Sequence, residues 1–191
     1  GSGFVMCGII GVVNVSGRTS DLIFELLGAL EHRGPDARGQ RLDETRTVYL
    51  GHTRLKIQDV NDNANQPFVS PCGRWSIIFN GEIYNFHDLR FEIGKRWHWT
   101  TSCDTEVLLA AWSLWGSDCL SKLVGMFSFV IFDAYEKAVF IARDRFGIKP
   151  LYRTALDSEF IFCSEIPPLL RLIKVREDKG SIKTYLELGL Y

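Results

Sequence analysis

An α+β fold built as a four-layer α/β/β/α sandwich, with two mainly antiparallel sheets at its centre, is the architecture this sequence predicts. Three observations carry that expectation. Strand-like segments outnumber helical ones, and few are joined by long β-α-β crossovers. Several strands, such as FSFVIF at 127–132, are apolar on both faces and so require a sheet covered on both sides. A chain of 191 residues, 46% hydrophobic and 13% aromatic, buries a substantial core as one domain.

Residues 7–15 (CGIIGVVNV) are β-branched and apolar, which predicts a buried opening strand. Residues 20–31 carry Leu22, Ile23, Leu26, Leu27 and Leu30 at helical spacing, with Ser20 or Thr19 as N-cap. HRGPDARGQ at 32–40 is loop chemistry, and 61–70 is a polar, proline-bearing surface loop. Strand-like runs lie at 47–51, 54–59 and 74–80. A second amphipathic helix is predicted at 104–115, with Asp104 in its first turn. Dense β segments at 126–134 and 137–143 flank Tyr135 and Glu136 and read as a hairpin, and strands near Tyr152 and Phe160 complete the set. There is no internal repeat or low-complexity tract.

Composition excludes several classes. A net charge of −1, with 22 basic residues scattered among 23 acidic ones, gives no support to binding of nucleic acid or of an anionic membrane surface. No apolar run approaches the roughly 18 residues that cross a bilayer. Gly1 to Val5 lacks the basic and apolar regions of a signal peptide and reads as a foreign remnant ahead of a natural Met6, so 1–6 stands outside the domain. Five dispersed cysteines with no CxxC pair argue against a disulfide framework and against a metal site, and favour a reducing, cytoplasmic setting.

Cys7 offers one route to nucleophilic catalysis. A thiol needs a base. If Met6 is removed, a step that a small next residue permits, the α-amino group of Cys7 itself, with an ordinary pKa of about 7.7–8, stands close enough to serve. Gly8 beside it lets the backbone pass close to a ligand. On the residues alone, the rival reading of Cys7 as a core residue opening an apolar strand stays open and is the commoner case.

The balance shifts when CGIIG (7–11) is read together with six later segments in their order along the chain. These are HRGPD (32–36), HTRL (52–55), Gln66-Pro67, NGEIYN (80–85), DTE (104–106) and RDRFGIKPLY (143–152). The series resembles the class II glutamine amidotransferases, which are N-terminal-nucleophile hydrolases, and its HRGPD and NGEIYN forms resemble the glutaminase domain of asparagine synthetase. The resemblance covers the chain from Cys7 onward. It implies that Cys7 attacks the side-chain amide of L-glutamine, giving a glutamyl thioester and ammonia. It also implies that Asn80, through its side chain, and Gly81, through its backbone N–H, form the oxyanion hole. Arg54 would pair with the substrate α-carboxylate, and Asp104, helped by Glu82, with the α-ammonium. Each role has a plainer rival: a hairpin turn for Asn80-Gly81, a solvated edge for Arg54, a helix-dipole partner for Asp104, and an ion pair between Arg143 and Asp144.

The resemblance implies a glutaminase domain at 7–175, with 176–191 opening the linker to a synthetase domain that uses ATP and Mg; neither cofactor is expected in 7–175. The apolar face of 181–191 would promote association, for instance as a homodimer. With six residues ahead of it, Cys7 has an amide nitrogen rather than an amine, so this polypeptide is expected to be poorly active until trimmed. Lys56 departs from the small residue usual in the family and leaves the pocket wall there less defined. Three other functions stay open on sequence: an amidotransferase with a sugar acceptor, a glutamine-sensing module without catalysis, and a related hydrolase with an N-terminal cysteine that acts on another amide.

Overall fold

Strand β1 (Gly8–Val13) shows how period-two alternation builds the layers. The computed structural model describes residues 6–55 and 65–173, and within them β1 lies at the middle of a five-stranded sheet. That sheet runs β2 (Ala37–Leu42), β3 (Val48–Arg54), β1, β9 (Glu159–Cys163), β8 (Tyr152–Leu156), with every pairing antiparallel. A second antiparallel sheet runs β4 (Phe68–Val69), β5 (Trp75–Ile83), β6 (Gly125–Asp133), β7 (Ala138–Arg143).

Ile10 and Val12 of β1 pack with Tyr49, Ile161 and the stripe Ile23, Leu26, Leu27 and Leu30 of helix α1 (Gly17–Gly28) and the turn after it, beside Leu169 of α4 (Ile166–Leu170). Ile9, on the opposite face, packs with Val48, Leu50, Ile78, Val130, Phe132 and Phe162, the layer between the sheets. Phe79, Phe129 and Ile131, on the outer face of the second sheet, meet α2 (Phe86–Ile93) through Leu89 and Ile93, and α3 (Asp104–Trp115) through Val107, Leu108 and Ala111. The four predicted layers are therefore present. Gly11 is dictated by this packing: a Cβ there would fall 2.1 Å from the Phe162 ring, which occupies that space.

Residues 104–115 form the helix predicted, with the same limits, and the 126–143 hairpin is β6–β7. Other boundaries move. Helix α1 begins at Gly17 rather than Ser20, with Ser16 at its N-cap position, and its start is held from afar: Glu159 of β9 accepts from Ser16 N–H at 2.6 Å and from the Thr19 hydroxyl at 2.5 Å. The runs expected at 47–51 and 54–59 meet in one strand, β3, that ends at Arg54; Leu55 follows it outside the sheet, and 56–59, with Lys56, lie outside the described residues, as do 176–191. Part of the loop expected at 32–40 is strand β2, whose Gly39 leaves room for the carbonyl of Gln66, 1.9 Å from where a Cβ would stand. Helices α2 and α4 add to the predicted set.

Candidate active site

The layer between the sheets is apolar at one end and polar at the other, and the change falls where Cys7 enters. Along β3, Val48 and Leu50 lie in the apolar part, and the same alternating face continues to His52 and Arg54. Along β5 and β6, Ile78 opposite Val130 gives way to Asn80 opposite Ser128. Cys7 is two residues before Ile9 and shares its face. The polar ends of three strands thus meet in one cleft, lined by Cys7, Arg54, Asn80, Gly81, Glu82 and Asp104, which are all six of the sequence-predicted site residues.

Cys7 is half-buried, and Leu55 N–H donates to its Sγ at 3.4 Å. Burial raises the thiol pKa above its ordinary 9, against the Leu55 hydrogen bond and the positive charges of Arg54 and Lys149. The thiolate is therefore not preformed, and deprotonation requires a base. Among the described residues no imidazole lines the cleft. His32 is on Glu165 at 3.0 Å, and His87 and His98 line a separate surface groove with Trp97 and Trp99.

Asn80 is 1% exposed, and its amide Nδ2 has no hydrogen-bond partner among the described residues. A buried donor left without an acceptor is costly, and this one is available to an acceptor that enters the cleft. Gly81 lies inside β5, opposite Phe127, and not in a hairpin turn, which removes the turn reading. Its neighbours along the strand explain its amide: Phe79 N–H goes to the Gln66 side chain at 2.6 Å and Ile83 N–H to Asp104 Oδ2 at 3.0 Å. By alternation Gly81 N–H points to that same side, away from β6 and toward the cleft. Glycine is required here, since a Cβ would stand 2.3 Å from Met126 O and 2.7 Å from Phe127 Cα.

Arg54 closes β3 at 5% exposure and donates from Nη1 to Asn65 Oδ1 at 2.7 Å, so it is no solvated edge residue. Asp104 begins α3 with 6% exposure. Burial raises its carboxyl pKa to about 6; N–H groups of Ile83 and Thr105 oppose the rise and the charge of Glu82 adds to it. The cleft therefore holds a guanidinium at one position and two carboxylates at another, with a thiol and a free amide donor among them.

Sequence reasoning assigned no role to Lys149, which also lines the cleft. The signal was the RDRFGIKP segment. Asp144 accepts from the amides of Phe127, Phe146, Ile148 and Lys149 at 2.9–3.2 Å. Arg143 donates to the carbonyls of Gly147 and Lys149. Arg143 and Asp144 thus each bind backbone in place of the ion pair considered from sequence, and together they shape the loop that delivers Lys149. Burial lowers the Lys149 pKa, and its Nζ donates to Met6 Sδ at 2.7 Å. Arg33 reaches the same region, with Nε on Cys7 O at 3.1 Å and Nη1 on Glu165 at 2.8 Å, and so ties the HRGPD segment to the backbone of Cys7. Among the described residues no group of His, Cys, Asp and Glu is arranged to hold a metal ion, and no helix is long and apolar enough to cross a membrane.

This sheet-on-sheet sandwich, with a cysteine at the head of its central strand, is the fold of the N-terminal-nucleophile hydrolases. The chain belongs to the glutamine amidotransferase domain family, whose model matches residues 6–191. It is 40% identical over 188 residues to asparagine synthetase [glutamine-hydrolyzing] 1 of Bacillus subtilis, covering 95% of this chain and 29% of that protein. It is 39% identical over 150 residues to asparagine synthetase B of Escherichia coli, covering 77% and 26%, and 35% identical over 156 residues to the amidase chyE of Penicillium rubens, covering 80% and 23%. The chain therefore spans under a third of these relatives' length. Among solved structures, the glutamine phosphoribosylpyrophosphate amidotransferase of Bacillus subtilis matches with a TM-score of 0.72 at 20% identity, over 85% of this chain and 43% of that one, a likeness of fold.

Proposed function

We propose that this domain hydrolyses L-glutamine to glutamate and ammonia through a thioester on Cys7. The observation that carries the reading is the convergence of Cys7, Arg54, Asp104 and the unpartnered Asn80 amide in one cleft. Once Cys7 is N-terminal, its α-amine takes the Sγ proton, the part an imidazole plays in other thiol enzymes. Sγ bonds to the amide carbon, and the carbonyl electron pair moves to oxygen, held by Asn80 Nδ2–H and Gly81 N–H. As the tetrahedral adduct collapses, the C–N bond breaks and the protonated amine returns its proton to the leaving ammonia. Water then cleaves the thioester and frees glutamate. Arg54 holds the α-carboxylate, and Asp104 with Glu82 the α-ammonium.

The ammonia would pass to a C-terminal synthetase domain using ATP and Mg, of the asparagine-forming kind that the similar synthetases name, in preference to a sugar acceptor. All five cysteines are free thiols, which supports a cytoplasmic setting.

The test compares the sequence as it stands with one beginning at Cys7, each treated with a glutamine-like electrophile and followed by intact mass and glutamate release. One adduct on Cys7 and turnover in the trimmed form are expected, with turnover lower by about 10²–10⁴-fold when residues precede Cys7, the range a general base contributes. No labelling of either form, with the fold intact, would overturn the reading and favour a glutamine-sensing module.

The Asp104 carboxylate must be ionised to hold an ammonium. Its charge is lost as pH falls through about 6, so kcat/KM for glutamine, already declining below about 8 as the Cys7 α-amine is protonated, is expected to fall more steeply below about 6. Asp104→Asn should lower kcat/KM by about 100-fold, the worth of one charge-assisted hydrogen bond, and abolish that inflection. An unchanged acid limb in the variant would assign the titration elsewhere.

A further inference from the structure

Strand β4 is two residues long and pairs with β5 only at Ser76 and Ile77. Past Ile77, the side of β5 that faces away from β6 has no strand beside it among the described residues, and its amides need other partners. At Phe79 both backbone groups are taken by side chains. Gln66 Oε1 accepts the N–H at 2.6 Å, and His52 Nε2 lies 3.2 Å from the carbonyl oxygen. A carbonyl can only accept, so the proton is on Nε2 and His52 is the donor. The imidazole is fully buried, and burial holds its pKa down at about 3, so it stays neutral at any working pH. Its Nδ1 is buried without a partner among the described residues. Packing alone does not demand histidine here, since leucine would fill similar space and leave no orphaned nitrogen.

The Phe79 carbonyl belongs to the peptide plane that also carries the N–H of Asn80, and the next residue is Gly81. We propose that His52 and Gln66 are positioning residues for the oxyanion hole. By gripping both backbone groups of Phe79 they set the line of β5, so that Asn80 Nδ2 and Gly81 N–H converge on one oxygen. Gln66 is itself anchored by a bond from Nε2 to Thr105 Oγ1 at 3.3 Å, and Thr105 is next to Asp104 on α3. This inference rests on the oxyanion-hole reading of Asn80 and Gly81 above.

The experiment uses the chain beginning at Cys7 and two inhibitors: the aldehyde analogue of glutamine, and glutamate. The aldehyde carbon bonds to Cys7 Sγ, and its carbonyl electron pair moves to the oxygen that enters the hole; glutamate forms no such adduct. His52→Leu and Gln66→Leu are each expected to raise the aldehyde inhibition constant and to lower kcat by about 10–100-fold, the scale of a misplaced catalytic geometry. The glutamate constant and the KM for glutamine should stay within about twofold. His52→Gln, which can place a donor near the original Nε2, should recover most of the loss. Asn80→Ala is the reference: if it leaves aldehyde binding unchanged, the oxyanion-hole reading itself fails. If Asn80→Ala weakens the aldehyde but both leucine variants leave it unmoved, or weaken aldehyde and glutamate alike, the positioning proposal is overturned.

Discussion

Replacing Cys7 with alanine is expected to abolish glutamate release, by at least about 10⁴-fold, the scale seen when a nucleophile that works as a unit with its base is removed. Stability should hardly change. Cys7 is half-buried ahead of β1, and its side-chain hydrogen bonds among the described residues are weak ones with the Leu55 backbone, at 3.4 and 3.9 Å. Glutamine should still bind to Cys7→Ala, because Arg54 and Asp104 are untouched, and calorimetry of the variant reads that directly. Loss of turnover with retained binding assigns the bond-making step to the thiol. Residual turnover near the wild-type rate would move the chemistry away from Cys7, whatever the cleft looks like.

Glu106→Leu is expected to cost about 3–5 kcal/mol of stability, the range for stripping a buried charge from the groups that satisfy it. For a domain of this size that lowers Tm by roughly 10 °C. Glu106 is fully buried at the start of α3. It accepts from the N–H groups of Thr100 and Thr101 at 2.8 and 2.6 Å, from their hydroxyls at 3.0 and 2.7 Å, and from the Trp97 indole at 3.1 Å. Burial alone would raise its pKa, but the donors on Thr101, Trp97 and Thr100 outweigh it and hold the carboxyl below its ordinary 4.5. A carboxyl with a lowered folded-state pKa contributes stability that is fully present above its unfolded value and is lost as pH falls through the folded one. Wild-type protein should therefore lose stability as pH falls below that ordinary 4.5, and Glu106→Gln should show a flatter acid limb. Denaturant melts of both variants across that range check the magnitude and the sign. A wild-type slope retained in the glutamine variant would place the acid sensitivity on another carboxylate.

The DTE segment shows why site residues can be legible while their division of labour is not. Asp104 and Glu106 are two residues apart on one helical turn and therefore point in different directions. Asp104 reaches β5 and the cleft, whereas Glu106 gathers the chain at 97–101. Spacing says that they diverge, and only packing says which one faces the cleft. The same holds for RDRFGIKP, where Asp144 and Arg143 organise backbone and Lys149 enters the cleft.

The layers and the place of Cys7 were already legible in the linear chain. The runs CGIIGVV and FSFVIF, apolar on both faces, require sheets covered on both sides, and the apolar 104–115 helix supplies one such cover, which leaves few arrangements besides helix–sheet–sheet–helix. Ordered motifs then marked Cys7, Arg54, Asn80, Gly81, Glu82 and Asp104. Meetings between elements far apart in the chain came from the fold. Glu159 serves the start of α1 from 140 residues away. His52, 27 residues before Phe79, takes up its carbonyl. The short α2 shows its stripe of Phe86, Leu89 and Ile93 only once α3 and β5 are there to receive it. Local propensity acts over a few residues, whereas a buried hydrogen bond is satisfied by whatever the fold brings beside it, and nothing in the spacing of two distant residues encodes that meeting.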